Sequence, residues 1–397
     1  MNKVNTDPQK IDDLLARGVE EIFIEKDLRA KLASGKCLRI KLGIDPTSPF
    51  IHLGRAVPLR KLKAFQDLGH GIVLIIGDYT AKIGDPSDKL EKRPMLSDKE
   101  IKNNLKKYLE QISLILNMKK VEVRYNSEWL KKMNFFEISQ LLECFTVQQM
   151  SKRRNFKDRL EAGTDIFLVE FLYPALQGYD SVKVKADVEL GGFDQLFNLK
   201  AGRTVQRKYG MAEQDIMTLS MLEGTDGRKM SSSWGNIIGL TDSPEEMFGK
   251  VMSIKDELIT KYFLLCTDTP INTIEGYARD MVTGAANPRD LKMILGKEIV
   301  TIYHNEKLAK KAEENFIATF QKKEIPENIP EIMPKDGEKL CDMLLKSKTI
   351  ASKNEFRRLV DEGAITNLSL KEKITDYGAP SSAGVYRIGK KRFLKIL

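Results

Sequence analysis

Apolar and polar positions alternate with two different periods in the first part of the chain. From Leu38 to Ile44 every second residue is apolar, which predicts a half-buried strand, whereas Ile72–Ile76 is apolar throughout, as in a strand buried on both faces. A helix predicted from His52 to about Leu68 separates the two strands, and residues 1–36 have helical spacing. The strand–helix–strand unit favours a parallel sheet that is covered by helices on both faces.

The alternation of strands and helices continues to about residue 220. Phe167–Tyr179 has helical spacing, and Val182–Leu190 alternates as a strand that two glycines end. The charged segment 97–165 is predicted to be a mostly helical insertion. We therefore predict an α/β fold with a Rossmann-like, doubly wound parallel sheet over residues 1–225, in which ligands lie at the carboxyl ends of the strands.

Strand signals fade after Trp234, and the remaining chain divides by composition. A helical pattern predicts an α-helical domain within residues 226–320. Residues 321–335 hold three prolines in an acidic setting, which is typical of a linker. Residues 336–397 follow as a separate small domain of the α+β type.

Charge and composition narrow the class of protein. The chain has 397 residues and a net charge of +9, and residues 336–397 hold 13 Lys and Arg against 8 Asp and Glu. This local excess favours a polyanionic partner such as nucleic acid, although a solvated lysine-rich surface has the same composition. The apolar runs are far shorter than the roughly 20 residues of a membrane helix. Four separated cysteines, three histidines and the absence of a secretory signal predict a reduced, cytoplasmic protein without a disulfide scaffold or a metal centre.

Two polar segments suit the binding of phosphate groups. The segment Asp45–Arg55 lies between a predicted strand and the start of a helix, where free N–H groups and the helix dipole attract anions. Gly54 in the first helical turn allows a flat base to approach the backbone. The segment Gly227–Ser233 combines a flexible lysine with several hydroxyl groups. Taken singly, the first segment is equally typical of an ordinary capped turn, and the second is more typical of a solvated linker.

Two further clusters suit a polar ligand. Tyr173, Gln177 and Asp180 lie on one face of an otherwise apolar helix, so they need either a bound ligand or an internal hydrogen-bond network. After the predicted strand Val182–Leu190, Gly192 permits close approach to the backbone, and Asp194 suits ribose hydroxyls. A glycine pair at the end of a strand is common and carries little weight alone.

In combination, these motifs resemble the tyrosyl-tRNA synthetases, a bacterial-type family within the class I aminoacyl-tRNA synthetases. His-x-Gly at His52 and Lys-Met-Ser-x-Ser at Lys229 resemble the paired class I signatures. The finer motifs follow in the order and spacing of the family, and the resemblance covers nearly the whole chain. These motifs are Asp45-Pro-Thr, Ile83-Gly-Asp85-Pro-Ser, Tyr173-x-x-x-Gln177-x-x-Asp180 and Gly191-Gly-x-Asp194-Gln195.

The resemblance implies a ligase that activates tyrosine with ATP, releases pyrophosphate, and passes tyrosine to the terminal ribose of tRNA(Tyr). It implies that Asp180, helped by Gln195, recognises the phenol, and that Tyr173, Gln177 and Asp85 hold the α-amino group. The full tyrosine-binding set is Lys41, Asp85, Tyr173, Gln177, Asp180 and Gln195. The ATP-binding set is Asp45, Gly54, Gly192, Asp194 and Met230. The catalytic set, at the phosphates, is Thr47, His52, Arg55, Lys229 and Ser232.

The resemblance also implies partners. ATP would arrive with Mg²⁺ held mainly by its phosphates, with no protein-bound metal or prosthetic group. The family is usually a homodimer, and residues 336–397 resemble a small RNA-binding domain shared with a ribosomal protein. The basic residues implied to contact RNA there are Arg357, Arg358, Lys390, Lys391 and Arg392.

Three positions depart from the family pattern. Arg55 replaces the usual second histidine, Ser232 replaces the usual second lysine, and Lys41 stands where many relatives have a tyrosine. The guanidinium of Arg55 is a candidate to compensate for the charge missing at Ser232. The first two departures are the support for an alternative, a non-catalytic RNA-binding relative. A synthetase for another aromatic amino acid is disfavoured, because Asp180 would be unpaired.

Overall fold

A computed structural model describes most of the chain. The described residues are 4–86, 97–320, 329–334, 338–370, 372–389 and 392–397. The chain separates into two compact units, Met1–Lys310 and Lys311–Leu397. The helices that follow residue 243 up to Lys310 belong to the same unit as the first sheet.

The first unit is built on a sheet of six described strands in the order β1-β6-β5-β2-β3-β4. These strands are β1 (Val19–Phe23), β2 (Arg39–Ile44), β3 (Gly71–Ile76), β4 (Val121–Tyr125), β5 (Val188–Gly192) and β6 (Asp215–Leu219). Strands β2 to β6 pair in parallel, and β1 pairs antiparallel with β6 at one edge. The predicted doubly wound parallel sheet is confirmed. Its strand order reverses between β2 and β5, which is where such folds bind ligands.

The helices connect and follow these strands. They are α1 (Pro8–Ala16), α2 (Glu25–Ala33), α3 (Leu53–Asp67), α4 (Thr80–Ile83), α5 (Asp98–Ile112), α6 (Ser127–Leu130), α7 (Phe135–Leu142), α8 (Val147–Ser151), α9 (Arg154–Glu161), α10 (Leu172–Val184), α11 (Leu196–Lys208), α12 (Pro244–Met252), α13 (Ile259–Cys266), α14 (Ile271–Thr283), α15 (Pro288–Tyr303) and α16 (Glu306–Phe320). Their starts follow from local sequence. A capping box of Ser97 and Glu100 begins α5, and Asn287 followed by a proline begins α15.

The strand predicted over Val182–Leu190 begins later than its alternation indicates. Helix α10 continues through Val184, and β5 begins at Val188. The helix extends through Val184 because Ser181 and Val184 are buried on the face of α10 that packs inside the protein. Lys185 then ends the helix in the left-handed region, with φ of 50°.

Two segments predicted to be helical each contribute a strand. Residues 1–36 contain β1, which pairs with β6. The predicted helical insertion 97–165 contains β4, which extends the parallel sheet beside β3. Both strands lie at sheet edges and are five residues long, so their apolar periodicity is too short to separate from that of the flanking helices.

The second unit is a small α+β fold. Helices α17 (Leu340–Lys346) and α18 (Lys353–Asp361) pack with a sheet in the order β7-β11-β10-β8-β9. The strands are β7 (Glu331–Ile332), β8 (Ile365–Asn367), β9 (Glu372–Lys373), β10 (Gly384–Ile388) and β11 (Arg392–Ile396). Strand β7 lies inside the predicted linker and differs from that prediction, because it pairs in parallel with β11. Residues 321–328 and 335 of that linker lie outside the described part. No helix of the described residues is long and apolar enough to cross a membrane.

Candidate active site

The carboxyl ends of β2 and β5 bring the polar clusters of the sequence together. Tyr173 on α10 donates its hydroxyl to Asp45, which follows β2, at 2.9 Å. Lys229 approaches Asp194, which follows β5, with 3.1 Å between Nζ and Oδ2. Residues far apart in the sequence therefore line one crevice at the point where the strand order reverses.

The start of α3 forms the first wall of this crevice. His52 occupies the N-cap position without a side-chain cap, and the N–H groups of Leu53, Arg55 and Ala56 donate to the backbone oxygens of Ile238 and His52. A Cβ at Gly54 would lie 3.2 Å from His52 Nδ1, so a larger residue would crowd the imidazole. The backbone N–H of Gly54 points at Met230 Sδ, at 3.4 Å.

The segment after the Lys-Met-Ser loop is joined to the start of α3 by backbone hydrogen bonds. Leu53 N donates to Ile238 O and Leu240 N donates to Ile51 O, both at 2.9 Å. An isolated bridge also pairs His52 with Gly239. The two signature segments therefore form one structural unit at the crevice.

His52 is buried and uncharged. Burial, together with the positive charges of Arg55 and Lys229, lowers the pKa of the imidazole to about 3. Its Nδ1 is buried without a hydrogen-bond partner among the described residues. A neutral imidazole can donate one N–H to an anionic ligand, but it supplies no positive charge near pH 7.

Asn236 organises the Lys-Met-Ser loop. Its Nδ2 donates to Asp226 Oδ1 at 2.7 Å and to Lys229 O at 3.2 Å, and its Oδ1 accepts from Ser231 N at 2.8 Å. Hydrogen bonds from Asn236 and Arg228 lower the pKa of Asp226 to about 2. Met230 is buried, whereas Ser232 is exposed at the start of a short 3-10 turn.

Asp180 lies at the buried end of the polar face of α10. Its Oδ1 accepts from Trp129 Nε1 at 2.8 Å, and its Oδ2 accepts from Asn126 Nδ2 at 3.3 Å. Burial raises the pKa of this carboxyl to about 7, against the opposing effects of Lys41 and these two donors. An acceptor-only carboxylate in an apolar wall suits a single hydroxyl donor at the end of an aromatic ring.

A second carboxylate lies nearer the open side of the crevice. Asp85 accepts from Gln195 Nε2 at 2.7 Å and from Asn198 Nδ2 at 3.4 Å. Gln195, predicted to help at the phenol, thus has its hydrogen bond with Asp85. Arg153 donates to Asn198 Oδ1 at 3.1 Å and adds a cation to this network.

Lys41, predicted to contact the ligand, is fully buried beneath α10. Its Nζ lies 2.9 Å from Gln177 O, 2.8 Å from Ser181 Oγ and 2.8 Å from Glu189 Oε1. Glu189 also accepts from Gln177 Nε2 at 3.1 Å. Glu189 is a polar position of the alternating strand β5, and it is fully buried, because this face of the strand is covered by α10.

The remaining predicted residues lie where their segments place them. Thr47 donates its backbone N–H to Asp45 O at 2.8 Å, and Arg55 lies half-buried in the first turn of α3. A Cβ at Gly192 would lie 2.6 Å from Asp194 Oδ1, so the backbone there passes close to a carboxylate. Thr80 donates its hydroxyl to Asp45 Oδ1 at 2.8 Å. Sequence reasoning missed several site residues whose types carry no local motif: Thr80, Asn126, Trp129, Glu189 and Asn236.

The predicted RNA-binding residues lie in the second unit. Arg392 Nη1 pairs with Glu355 at 2.9 Å, and Arg358 pairs with Glu362 at 3.3 Å. Arg357 is exposed on α18. Lys390 and Lys391 lie outside the described residues.

Within the described part of the chain, no group of three or more His, Cys, Asp or Glu side chains could hold a metal ion.

Fold and site together define a class I aminoacyl-tRNA synthetase, and comparison with known families agrees. The family model described as class I tRNA synthetases (W and Y) matches residues 33–321. A tyrosine–tRNA ligase from Thermotoga maritima is 47% identical over 391 residues, covering 98% of each chain. One from Dehalococcoides mccartyi is 46% identical and covers 99% of this chain and 100% of its own. The chain belongs to the tyrosine–tRNA ligase family.

Solved structures show the same fold at lower identity. A C-terminally truncated mitochondrial tyrosyl-tRNA synthetase from Aspergillus nidulans is 21% identical, has a TM-score of 0.64, and covers 78% of this chain and 94% of its own. A tyrosyl-tRNA synthetase from Archaeoglobus fulgidus, complexed with L-tyrosine, is 22% identical, has a TM-score of 0.61, and covers 77% and 99%.

Proposed function

We propose that this protein activates L-tyrosine with ATP to tyrosyl-adenylate, releases pyrophosphate, and transfers tyrosine to the terminal ribose of tRNA(Tyr). One observation supports the choice of amino acid above the others. Asp180 is a buried carboxylate whose two donors, Trp129 and Asn126, leave it with acceptor capacity for one more hydrogen bond. A phenol supplies that bond, whereas phenylalanine and tryptophan leave the acceptor unpaired or misplaced.

The tyrosine is proposed to lie along α10 with its phenol at Asp180. Its ammonium group then faces Tyr173, Gln177 and Asp85. Tyr173 already donates its only hydroxyl proton to Asp45, so its oxygen is left as an acceptor. With three acceptors around the ammonium group and Asp180 at the phenol, the amino acid is held at both ends.

ATP is proposed to lie across the start of α3 and the end of β5. The adenosine would lie against Asp45, Gly54, Met230 and the Gly192–Asp194 segment, with its ribose at Asp194. The phosphates would lie at Thr47, His52, Arg55, Lys229 and Ser232. The neutral N–H of His52 and the positive charges of Arg55 and Lys229 beside it suit a chain of phosphates.

The proposed reaction needs no covalent nucleophile from the protein. The tyrosine carboxylate attacks the α-phosphorus, the new P–O bond forms, and the bond to the pyrophosphate oxygen breaks. The protein places the two substrates in line and stabilises the charge that develops on the phosphates. Mg²⁺ accompanies ATP in this proposal and neutralises phosphate charge.

ATP–pyrophosphate exchange tests the proposal, with tyrosine, phenylalanine and tryptophan assayed in parallel. We expect exchange with tyrosine alone. No exchange from folded protein with any of the three would overturn the enzyme and leave the non-catalytic RNA-binding relative. Exchange led by phenylalanine or tryptophan would instead overturn the role of Asp180.

The pH dependence of tyrosine binding follows from Asp180. Because the pKa of the free carboxyl is raised to about 7, the group gains a proton as the pH falls through that value and then competes with the phenol as a donor. We expect the dissociation constant for tyrosine to be flat from about pH 7.5 to 8.5 and to rise toward tenfold per unit below pH 6.5. Calorimetric titration measures it. The slope is expected to vanish in Asp180→Asn, and its persistence there would assign it to another group.

Arg55 offers a test of charge compensation at the phosphates. Arg55 lies next to His52 and lowers its pKa, so its positive charge acts at the crevice in which Ser232 lacks the usual lysine. Arg55→His replaces a permanent cation with a mostly neutral imidazole at pH 8. We expect kcat for exchange to fall roughly 10-fold with the KM for tyrosine unchanged. An unchanged kcat would show that Arg55 does not compensate, whereas Arg289→His on α15 should have no effect.

Assembly and domain roles complete the proposal. Residues 1–225 would activate tyrosine, the helical part of residues 226–320 would face the anticodon region, and residues 336–397 would bind tRNA in a cytoplasmic homodimer. The segment from α7 onward supports self-association, because it exposes large apolar side chains. These are Phe135, Phe136, Val147, Leu160 and Leu168. Sedimentation of the purified chain measures its oligomeric state.

A further inference from the structure

The buried pair of Lys41 and Glu189 is the feature that the proposed function leaves unexplained. The two residues are direct neighbours in the parallel pairing of β2 and β5, at the point where the strand order reverses. Both side chains are fully buried, and their charged atoms lie 2.8 Å apart. Burying two charges is costly unless every polar atom finds a partner, so the pair is weak evidence for a purely stabilising role.

Every donor of Lys41 is already used by the protein. An ammonium group has three N–H donors, and Lys41 has three acceptors in reach, namely Gln177 O, Ser181 Oγ and Glu189 Oε1. No donor is left for the phenol of a substrate. Lys41 therefore stands where many relatives have a tyrosine, but it has no donor left for a hydrogen bond to a phenol.

Glu189 links Lys41 to Gln177 through hydrogen bonds. Its Oε1 accepts from both Lys41 and Gln177 Nε2, and its Oε2 accepts from Ser181 and Gln214. The packing around it is close, because a Cβ at Gly202 would lie 3.0 Å from Glu189 Oε2. The carboxylate is thus held by four groups and cannot turn.

A carboxylate decides which way the amide of Gln177 points. A carboxylate only accepts, so the NH₂ of Gln177 must face Glu189, and its oxygen must face away from Glu189. That oxygen accepts no hydrogen bond from the described residues. An amide oxygen held in this way is a preset acceptor for a cationic donor, such as the ammonium of an amino acid.

We propose that Lys41 and Glu189 are positioning residues for the ammonium end of the substrate, because together they hold the oxygen of Gln177 toward it. This inference rests on the proposed function for the identity of the substrate. Without Lys41, Glu189 loses the partner that shares its Oε1 with Gln177, and the Gln177 amide is no longer held with its oxygen toward the ammonium.

The test compares tyrosine with 3-(4-hydroxyphenyl)propionate, which keeps the phenol and carboxylate but lacks the ammonium. Equilibrium binding of each is measured calorimetrically on the wild type and on Lys41→Met. We expect tyrosine to bind about 10- to 50-fold more weakly to the variant and the propionate to change less than 3-fold. Equal weakening of both ligands would overturn the inference and return Lys41 to the phenol, and no change in either would overturn it as well.

Controls separate positioning from damage to the fold. Lys36→Met removes an exposed lysine that pairs with Asp187 at 3.2 Å, and it should bind both ligands as the wild type does. In a Gln177→Met background, Lys41→Met should weaken tyrosine binding no further, because the oriented group is gone. If Lys41→Met does not fold, the charge-neutral Lys41→Met/Glu189→Gln variant is used, and the same selective loss is expected. Wild-type exchange is measured separately, so failure of the proposed function is distinguished from failure of this inference.

Discussion

Replacing Asp180 with asparagine is expected to lower kcat/KM for tyrosine roughly 100-fold or more, with the KM for ATP unchanged. Trp129 and Asn126 both donate to Asp180, so the NH₂ of an asparagine would face one of these donors. The variant loses a hydrogen bond to a charged acceptor, worth about 1.5–3 kcal/mol, and leaves a buried donor unsatisfied. Steady-state exchange at pH 8, with the two substrates varied separately, measures the loss.

The matched control for this experiment is Asp280→Asn, which makes the same change at an exposed position of α14. It should retain wild-type values for both substrates. Phenylalanine should gain relative to tyrosine in Asp180→Asn, because its ring no longer faces an unpaired carboxylate. A kcat/KM for tyrosine within threefold of the wild type would contradict the placement of the phenol at Asp180.

Replacing Lys229 with methionine is expected to lower kcat for pyrophosphate exchange by about 10²–10³, while tyrosine binds as before. Lys229 is held over Asp194 by a loop that Asn236 organises, so its ammonium lies at the mouth of the crevice. Methionine keeps the length of the side chain and removes the charge that would stabilise departing pyrophosphate. Exchange kinetics and calorimetric titration of tyrosine measure the two effects.

Lys307→Met on α16 is the control, because that lysine is exposed and belongs to a helix that begins well after the Lys-Met-Ser loop. It should exchange at the wild-type rate. If Lys229→Met instead weakens tyrosine binding and leaves kcat unchanged, the lysine acts on the amino acid and not on the phosphates, and its proposed role is wrong.

Most of the fold could be predicted from the sequence because its central elements are long or uniformly apolar. β2, α3 and β3 lie where the periodicity predicts them. Edge strands β1 and β4 were missed, because five residues with mixed burial give no clear period. The late start of β5 was missed because α10 continues into the alternating stretch as far as Val184, and packing against the protein interior, not the local pattern, decides that end.

Some candidate site residues could be predicted from the local sequence, and others could not. Residues in short motifs, such as His52 and Asp194, could be found from spacing. Asn126, Trp129 and Glu189 could not, because their role comes from which strands are neighbours in the sheet. Glu189 is the clearest example, since its position in the alternating pattern gives no sign of the helix α10 that buries it.

The pairing of β2 with β5 also bears on how the chain is made. β2 is synthesised early, yet its partner β5 follows about 150 residues later, which at 5–20 residues per second is a delay of roughly 10–30 s on the ribosome. During that time β3 covers one edge of β2, and the other edge, with Lys41 unpaired, has no partner strand. The nascent chain therefore exposes a sheet edge where the substrate crevice will form, and this edge is where a chaperone would have most to protect.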